Sequence, residues 1–172
     1  MPRPALPLSP ISYTTTAHAS MGTILIATSA STLAAVALAD DAAAALNDLR
    51  MSYPARRLVP GKPEAHEIHR EAITAHLDAG KPLPAPKLDG TPFQRAVWAA
   101  IAAIPRGETR TYAQLAADLG RPSAVRAVAR ACASNRVALA VPCHRVVGAG
   151  GKMTGYRWGV ERKRVLLENE RR

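Results

Sequence analysis

Residues Val141 to Gly150 read VPCHRVVGAG, which sets a thiol, an imidazole and a guanidinium on consecutive residues Cys143, His144 and Arg145, directly after a proline. An ionised cysteine is a strong nucleophile, and histidine is the common base that removes a thiol proton near neutral pH. Pro142 restricts Val141 to extended conformations and fixes the direction from which the chain enters. A reactive sulfur needs such an approach, because it must stay in place while a substrate carbon meets it. Neighbouring side chains of an extended segment point apart, so a bridging water or a turn is required for His144 to take the Cys143 proton. A third group must orient the imidazole, and the downstream carboxylates Glu161, Glu168 and Glu170 are the candidates. Arg145 and a nearby helix N-terminus are expected to add positive potential.

Two other chemistries fit less well. Cys143 and His144 are adjacent and the second cysteine, Cys132, has no CxxC partner, so no metal site is expected. A disulfide between Cys132 and Cys143 is not expected in a reducing compartment. A structural cysteine remains open at this point, since spacing alone does not separate it from a nucleophile. Cys132 reads as core. His66, His69 and His76 lack a completing carboxylate or cysteine and read as a solvated helix face.

Around this loop the chain is well punctuated. Thr91, Pro92 and Gln94 form a capping box with proline at the first helical position, and Phe93, Val97, Ile101 and Ile104 follow at helical spacing. Thr111 and Gln114 repeat the device, and Gly120 stops that helix. Ser123 is expected to cap a further helix, AVRAVARACASN, that buries Val125, Val128, Ala129 and Cys132 and carries Arg126 and Arg130 four apart on one face. Two short helices joined by a glycine-containing turn make a helix-turn-helix pattern. The apolar run before Pro142 reads as strand-like.

Upstream, GTILIAT and STLAAVALA read as paired strands. Thr23 to Ala39 carries five Ser/Thr, so it does not read as a membrane span. Asp40 is expected to cap a helix with Leu46 and Leu49 on one face. A second helix after Pro63 is expected to turn Ile68, Ala72 and Ala75 inward and to end at Gly80. The reading divides the chain into a flexible, proline-rich tail (1–10), an α/β unit (11–80), a stiff linker (81–90) and a mostly helical unit (91–172). No export signal or membrane span is expected, and with two cysteines the chain is read as cytoplasmic.

Charge separates the halves. Residues 1–90 hold 8 Lys/Arg and 8 Asp/Glu, whereas residues 91–172 hold 15 against 5, so the net charge of +10 belongs to the second half. Arginine dominates there, which suits planar, multi-donor contacts to phosphates and points to nucleic acid.

Five blocks, GTPFQRAVW, IPRGETRTYAQLA, AVRAVARACASN, VPCHRVVGAGG and TGYRWGVERKRVLLENE, in order and spacing, resemble the O6-alkylguanine-DNA alkyltransferases, the methylated-DNA–protein-cysteine methyltransferases. The resemblance covers residues 90–170. Residues 11–80 resemble the family's small ribonuclease-H-like domain in pattern and length. The fold it implies is that α/β domain followed by a winged-helix-like, mostly helical DNA-binding domain with a helix-turn-helix.

For the site, the resemblance implies that Cys143 accepts the alkyl group in one displacement, with His144 its base through a water and Glu170 orienting His144. It implies that Asn135 braces the turn and that Tyr112 assists the departing guanine. Arg126 would fill the gap left by a flipped nucleotide, with Ser123, Ala127 and Arg130 on the DNA face. Val141, Pro142, Tyr156, Arg157 and Trp158 would line the pocket. It further implies double-stranded DNA carrying O6-alkylguanine as partner, approached from the minor groove with little sequence preference, by a monomer. No cofactor, metal or membrane is implied. Some relatives have proline at Ala138 and others glycine at Trp158; tryptophan there is expected to favour methyl over benzyl. The alternative is a non-enzymatic alkylguanine sensor of the same fold, which carries tryptophan where Cys143 stands. A plain helix-turn-helix regulator would have no use for the cysteine loop.

Overall fold

A computed structural model of the chain describes residues 9–84, 86 and 88–171. Most of the tail expected over 1–10, together with Ala85 and Lys87 of the linker and Arg172, lies outside the described residues. Strands β1 (Ile11–His18), β2 (Gly22–Ser29), β3 (Thr32–Ala39) and β4 (Leu58–Pro60) form one sheet in the order β3-β2-β1-β4. The β1–β2 and β2–β3 pairs are antiparallel, and β4 joins β1 in parallel. Helices α1 (Ala42–Ser52) and α2 (Glu67–Ala79) belong to this half. The second half carries α3 (Pro92–Ala102), α4 (Tyr112–Asp118), α5 (Val125–Ala133) and α6 (Val160–Glu170). It adds a two-residue parallel pair, β5 (Arg110–Thr111) with β6 (Val146–Val147). The class is mixed α+β with a helical second half, as the sequence implied.

The apolar run of β2 is buried from Ile24 to Ala27; successive residues lie on opposite faces, so both faces of this strand are covered, the situation that gives near-continuous hydrophobic strands. β1 escapes the hydrophobic pattern: its threonines are β-branched and suit a strand, but its outward positions are polar. The β2–β3 hairpin turns through Ala30 and Ser31 at φ +48° and +64°, a left-handed pair that normally selects Asn-Gly.

Three helix expectations need correction. Asp41, not Asp40, caps α1, its carboxylate accepting from Ala44 N–H at 2.8 Å. On α2 the inward face holds Ile73 and His76, whereas Ile68 is 74% exposed. Pro63–His66 is a separate 3-10 turn, so α2 begins at Glu67, and Ile68 lies about 140° round the helix from Ile73. Ser123 sits inside another 3-10 turn, Pro122–Ala124, and α5 begins at Val125 with Ala124 as its N-cap and no side-chain cap. The two capping boxes are present as expected, at Thr91/Gln94 and Thr111/Gln114.

The solvated reading of the histidines also fails for two of the three. His66 is fully buried, with Nε2 facing Ser12 C=O and Thr28 Oγ1, and Nδ1 facing Lys62 C=O. His76 is buried with Nδ1 2.7 Å from Lys81 C=O. Backbone carbonyls satisfy these rings, and a residue pattern cannot display such partners.

The halves meet at β3. Val36 forms a parallel bridge with Val137, its N–H donating to Arg136 C=O and its C=O accepting from Ala138 N–H, each at 3.0 Å. Further along, Arg157 grips Asp48 of α1 with two nitrogens and reaches Ser52 Oγ at 2.6 Å. Arg162 of α6 donates to Met21 C=O and pairs with Asp40.

Candidate active site

The segment before Cys143 is not a strand. After α5 the chain bridges β3 at Val137 and then makes two successive three-residue turns. In the first, Ala140 N–H donates to Ala138 C=O across Leu139, which is held at φ +69°. In the second, Cys143 N–H donates to Val141 C=O across Pro142 at φ −77°, ψ 60°. The latter is an inverse γ-turn, which proline's fixed φ favours; the former is the rare, strained hand. A branched residue at φ > 0 persists only where its surroundings hold it, and here the bridge to β3 does so.

Asn135 holds the turn. It is buried, its Nδ2 donates to Val141 C=O at 2.9 Å and to Cys143 Sγ at 3.1 Å, and its Oδ1 accepts from Val137 N–H at 2.9 Å. Cys143 opens a 3-10 turn, Cys143–Arg145, and is 4% exposed. Its thiol is pulled below the ordinary cysteine value: hydrogen bonding from Cys132 lowers it, burial opposes, and Asn135 and the Lys163 ammonium lower it further. Cys132 moves the opposite way, raised by its contact with Cys143 and by burial. Cys143 is the thiol that ionises, because Asn135 donates to its sulfur.

His144 is fully buried, and its Nε2 lies 2.8 Å from Glu170 Oε1. A carboxylate only accepts, so Nε2 carries the hydrogen and Nδ1 the free lone pair. Nδ1 is buried and has no hydrogen-bond partner among the described residues. Burial holds this imidazole below its usual pKa, and the nearby charge of Arg145 adds to that, although Glu170 pulls upward. The ring is therefore a neutral base at pH 7.

Glu170 has donors on both oxygens: His144, the Arg145 Nε and second guanidinium nitrogen, and Gly107 N–H at 3.2 Å. Burial alone would raise its pKa, but the hydrogen bonds from His144 and Arg145 outweigh it and keep the carboxylate ionised well below the usual range. Glu161 and Glu168, the other candidate orienters, pair with Arg164 on the surface.

Arg145 differs from expectation. Its guanidinium is committed to Glu170 and to Ile104 C=O, so it neutralises the carboxylate instead of polarising the thiol. The cation near the sulfur is Lys163 of α6, fully buried, with Nζ 2.6 Å from Val146 C=O and 3.3 Å from Thr154 and Gly155 C=O. Lys163 carries no sequence signal: a lysine among ERKR reads as one more surface charge, and only its place one turn after Gly159 turns it inward.

Tyr112 is the first residue of α4 and half-buried; burial and the nearby Cys132 push its hydroxyl up to about 12. The Tyr156 hydroxyl is buried without a hydrogen-bond partner among the described residues. Its ring meets Trp158 edge-on at 5.3 Å. Trp158 is buried with Nε1 3.3 Å from Asp48, so α1 of the first half secures the indole. Val141 and Pro142 are buried beside Cys143. Arg157 points its guanidinium to Asp48. On α5, Arg126 and Arg130 are exposed and Ala127 is half-buried; Ser123 is exposed in the preceding turn. Among the described residues, no group of His, Cys, Asp or Glu could hold a metal, and no helix is long and apolar enough to cross a membrane.

The site thus combines a helix-turn-helix with exposed arginines, a buried thiol that accepts from Asn135, and a buried imidazole–carboxylate pair, the features of a protein with a reactive cysteine beside a basic helical surface. Residues 92–172 match the family of 6-O-methylguanine DNA methyltransferase DNA-binding domains. The chain is 44% identical to the Escherichia coli bifunctional transcriptional activator/DNA repair enzyme Ada over 155 residues, 90% of this chain and 44% of that protein. It is 55% identical to a Mycobacterium bovis methylated-DNA–protein-cysteine methyltransferase over 84 residues, 49% of this chain and 51% of that one. The chain thus spans about half the length of the curated relatives it matches. The crystal structure of Mycobacterium tuberculosis O6-methylguanine methyltransferase superposes with a TM-score of 0.74 at 36% identity, covering 94% of this chain and 93% of that one. The same enzyme in complex with DNA gives 0.75 at 35% identity, covering 93% and 92%. This chain belongs to the O6-methylguanine-DNA methyltransferase family.

Proposed function

We propose that the protein repairs DNA by moving the alkyl group of O6-alkylguanine irreversibly onto its own Cys143, once per molecule and without a cofactor. The observation that carries this is the Cys143 sulfur, buried, donated to by Asn135 and pulled toward the thiolate next to a neutral imidazole held by Glu170. The thiol proton passes to His144 Nδ1 through a water. The thiolate attacks the alkyl carbon, the carbon–oxygen bond breaks, and the electron pair goes to the guanine oxygen. Tyr112, half-buried and protonated at pH 7, supplies a hydrogen bond or proton to the departing base. The product is a thioether with no good leaving group, so the acceptor is spent.

A guanine within the duplex cannot reach a buried sulfur, so the nucleotide must be flipped out. Arg126, exposed on α5, is long, planar and always charged, which suits filling the vacated stack while touching phosphate. Ser123, Ala127 and Arg130 share its surface. Lesions occur in any sequence, so we assign contacts to backbone and to the minor groove, with little base preference, by a cytoplasmic monomer. Trp158 and Tyr156 wall the pocket and favour methyl over larger groups. A sensor role would leave Cys143 and its proton-accepting histidine without purpose.

The test is a duplex carrying one O6-methylguanine with a labelled methyl, mixed with wild type and with Cys143→Ala. Label moving to wild type, stopping at one per molecule and absent from the variant, is the expected result. Tight binding of the damaged duplex by both proteins with no transfer would replace repair by sensing.

A further inference from the structure

Between α3 and β5 the chain turns through Ile104, Pro105, Arg106 and Gly107. Ile104 C=O accepts from Arg145 Nη1 at 2.6 Å, and Gly107 N–H donates to Glu170 Oε2 at 3.2 Å. One stretch of backbone thus gives an acceptor to the buried cation and a donor to its carboxylate. Between these two ties, Arg106 Nη2 donates to Asn169 C=O at 3.0 Å. Two consecutive residues of the turn therefore hold two consecutive residues at the end of α6.

The partners of Glu170 show what Gly107 adds. Oε1 accepts from His144 and from Arg145 Nη2, each at 2.8 Å, and Oε2 accepts from Arg145 Nε at 2.9 Å. Arg145 touches both oxygens with a long side chain, so it can follow the carboxylate as it rotates. The Gly107 N–H is fixed in the backbone and cannot. Two features make glycine necessary there. Glu108 N–H donates to Pro105 C=O at 3.1 Å, and Gly107, third residue of that turn, has φ +81°, the left-handed value that type II turns take. A Cβ at 107 would also lie 3.2 Å from the Glu170 carbonyl oxygen. The Arg106 tie to Asn169 opposes retreat of the helix end, so an added side chain acts on Glu170.

We propose that Gly107 is a positioning residue for the base: by its N–H and its lack of a side chain it sets the rotation of the Glu170 carboxylate, which keeps the hydrogen of His144 on Nε2 and the lone pair on Nδ1. The inference rests on His144 being the proton acceptor of the proposed function. A neutral imidazole carries one hydrogen, and the nitrogen facing a carboxylate takes it. With the carboxylate turned away, the hydrogen can move to Nδ1, where it blocks uptake of the thiol proton. Relief of the 3.2 Å contact needs a shift of a few tenths of an ångström. The loss of methyl transfer expected for Gly107→Ala is therefore about tenfold, below the ~10²-fold that a misplacement of about 1 Å can cost.

The experiment uses the whole chain, labelled with nitrogen-15 at its five histidines and studied without DNA. Long-range proton–nitrogen correlation spectra show which ring nitrogen of each histidine carries hydrogen, and His144→Gln identifies the His144 signals. In wild type His144 is expected as the Nε2–H tautomer. In Gly107→Ala that signature is lost or mixed with the Nδ1–H form, and single-turnover methyl transfer falls about tenfold. Gly107→Asn repeats the test with a residue that tolerates left-handed backbone, so it keeps the fold while adding the same Cβ. Gly151→Ala is the control for backbone strain. It has φ +77° and no atom within 4 Å of its added Cβ, and it should keep the wild-type tautomer. A wild-type His144 signature in both Gly107 variants would overturn the proposal, whatever their transfer rates. Equal disturbance of His144 by Gly151→Ala would overturn it too, since strain alone would then suffice. The tautomer is read without substrate, so a wild type that transfers no methyl counts against the repair reading alone.

Discussion

Nε2 of His144 stands 2.8 Å from Oε1 of Glu170, and the same oxygen accepts from Arg145 at 2.8 Å. One carboxylate therefore fixes the tautomer of the imidazole and neutralises the guanidinium beside it, with the imidazole fully buried and its two partners nearly so.

Removing that charge should harm both rate and stability. Glu170→Gln leaves Arg145 buried without its counter-ion, which typically costs about 3–5 kcal/mol. It also frees the imidazole to adopt the wrong tautomer, so methyl transfer should fall by about tenfold or more, within the ~10²–10⁴-fold that a general base supplies. Denaturant titration and single-turnover transfer measure the two separately. A variant as stable and as fast as wild type would remove Glu170 from the site.

The pH profile follows from the direction of the shifts. His144 is held below its ordinary value of about 6.5, so it remains a base as pH falls through 6.5. Cys143 is likewise pulled below the ordinary thiol value. Single-turnover rates at saturating DNA should therefore reach half their plateau at a pH below 6.5. A midpoint at about 6.5, the value for a histidine in water, would contradict the site described.

Acid stability carries the sign of Glu170. Its folded pKa is depressed, so its contribution is fully present above the unfolded carboxyl value of about 4.3 and is lost as pH falls through the folded value. The stability gap between wild type and Glu170→Gln should be constant from pH 8 to 5 and narrow below about 4. A gap that narrows already between pH 7 and 5 would point to another group.

Trp158 is held by Asp48 and faces the Tyr156 ring edge. Trp158→Gly should raise the benzyl-to-methyl rate ratio by about tenfold or more, the scale of pocket discrimination by a few carbons. Competition between O6-benzylguanine and O6-methylguanine duplexes reads it. An unchanged ratio would move the size filter elsewhere.

The β2–β3 turn is open to improvement. Ala30→Asn with Ser31→Gly relieves two left-handed residues, each strained by about 1–2 kcal/mol in principle. Stability should rise by about 1 kcal/mol or more, and transfer should not change, since this turn touches none of the site residues. A lower denaturant midpoint would mean that the tight turn is not strained.

Legibility followed the physics of each feature. Capping boxes are local, three residues apart, and both were readable in full. The cysteine loop was readable because its residue types are contiguous. Its conformation was not: an apolar run before proline looks like a strand, and only the β3 edge pairing at Val137 explains two γ-turns in its place. Glu170 could be picked from three carboxylates by resemblance alone, because the distinction lies in which helix face meets His144. Lys163, His66 and His76 were misread or missed for a common reason. Each is a polar residue satisfied by backbone carbonyls distant from it in sequence or hidden by the fold, and composition does not encode carbonyl positions.

Val36 N–H donates to Arg136 C=O and Val36 C=O accepts from Ala138 N–H, so the edge of the first sheet ends against the loop that carries the sulfur. Every side chain that touches the sulfur belongs to the last third of the chain, yet the stiffness of that loop is borrowed from residue 36. Chemistry and rigidity therefore have separate addresses in the sequence. A substitution on β3 could slow the thiol without changing any group around it, and a hunt for lost activity confined to residues 91–172 would pass it by.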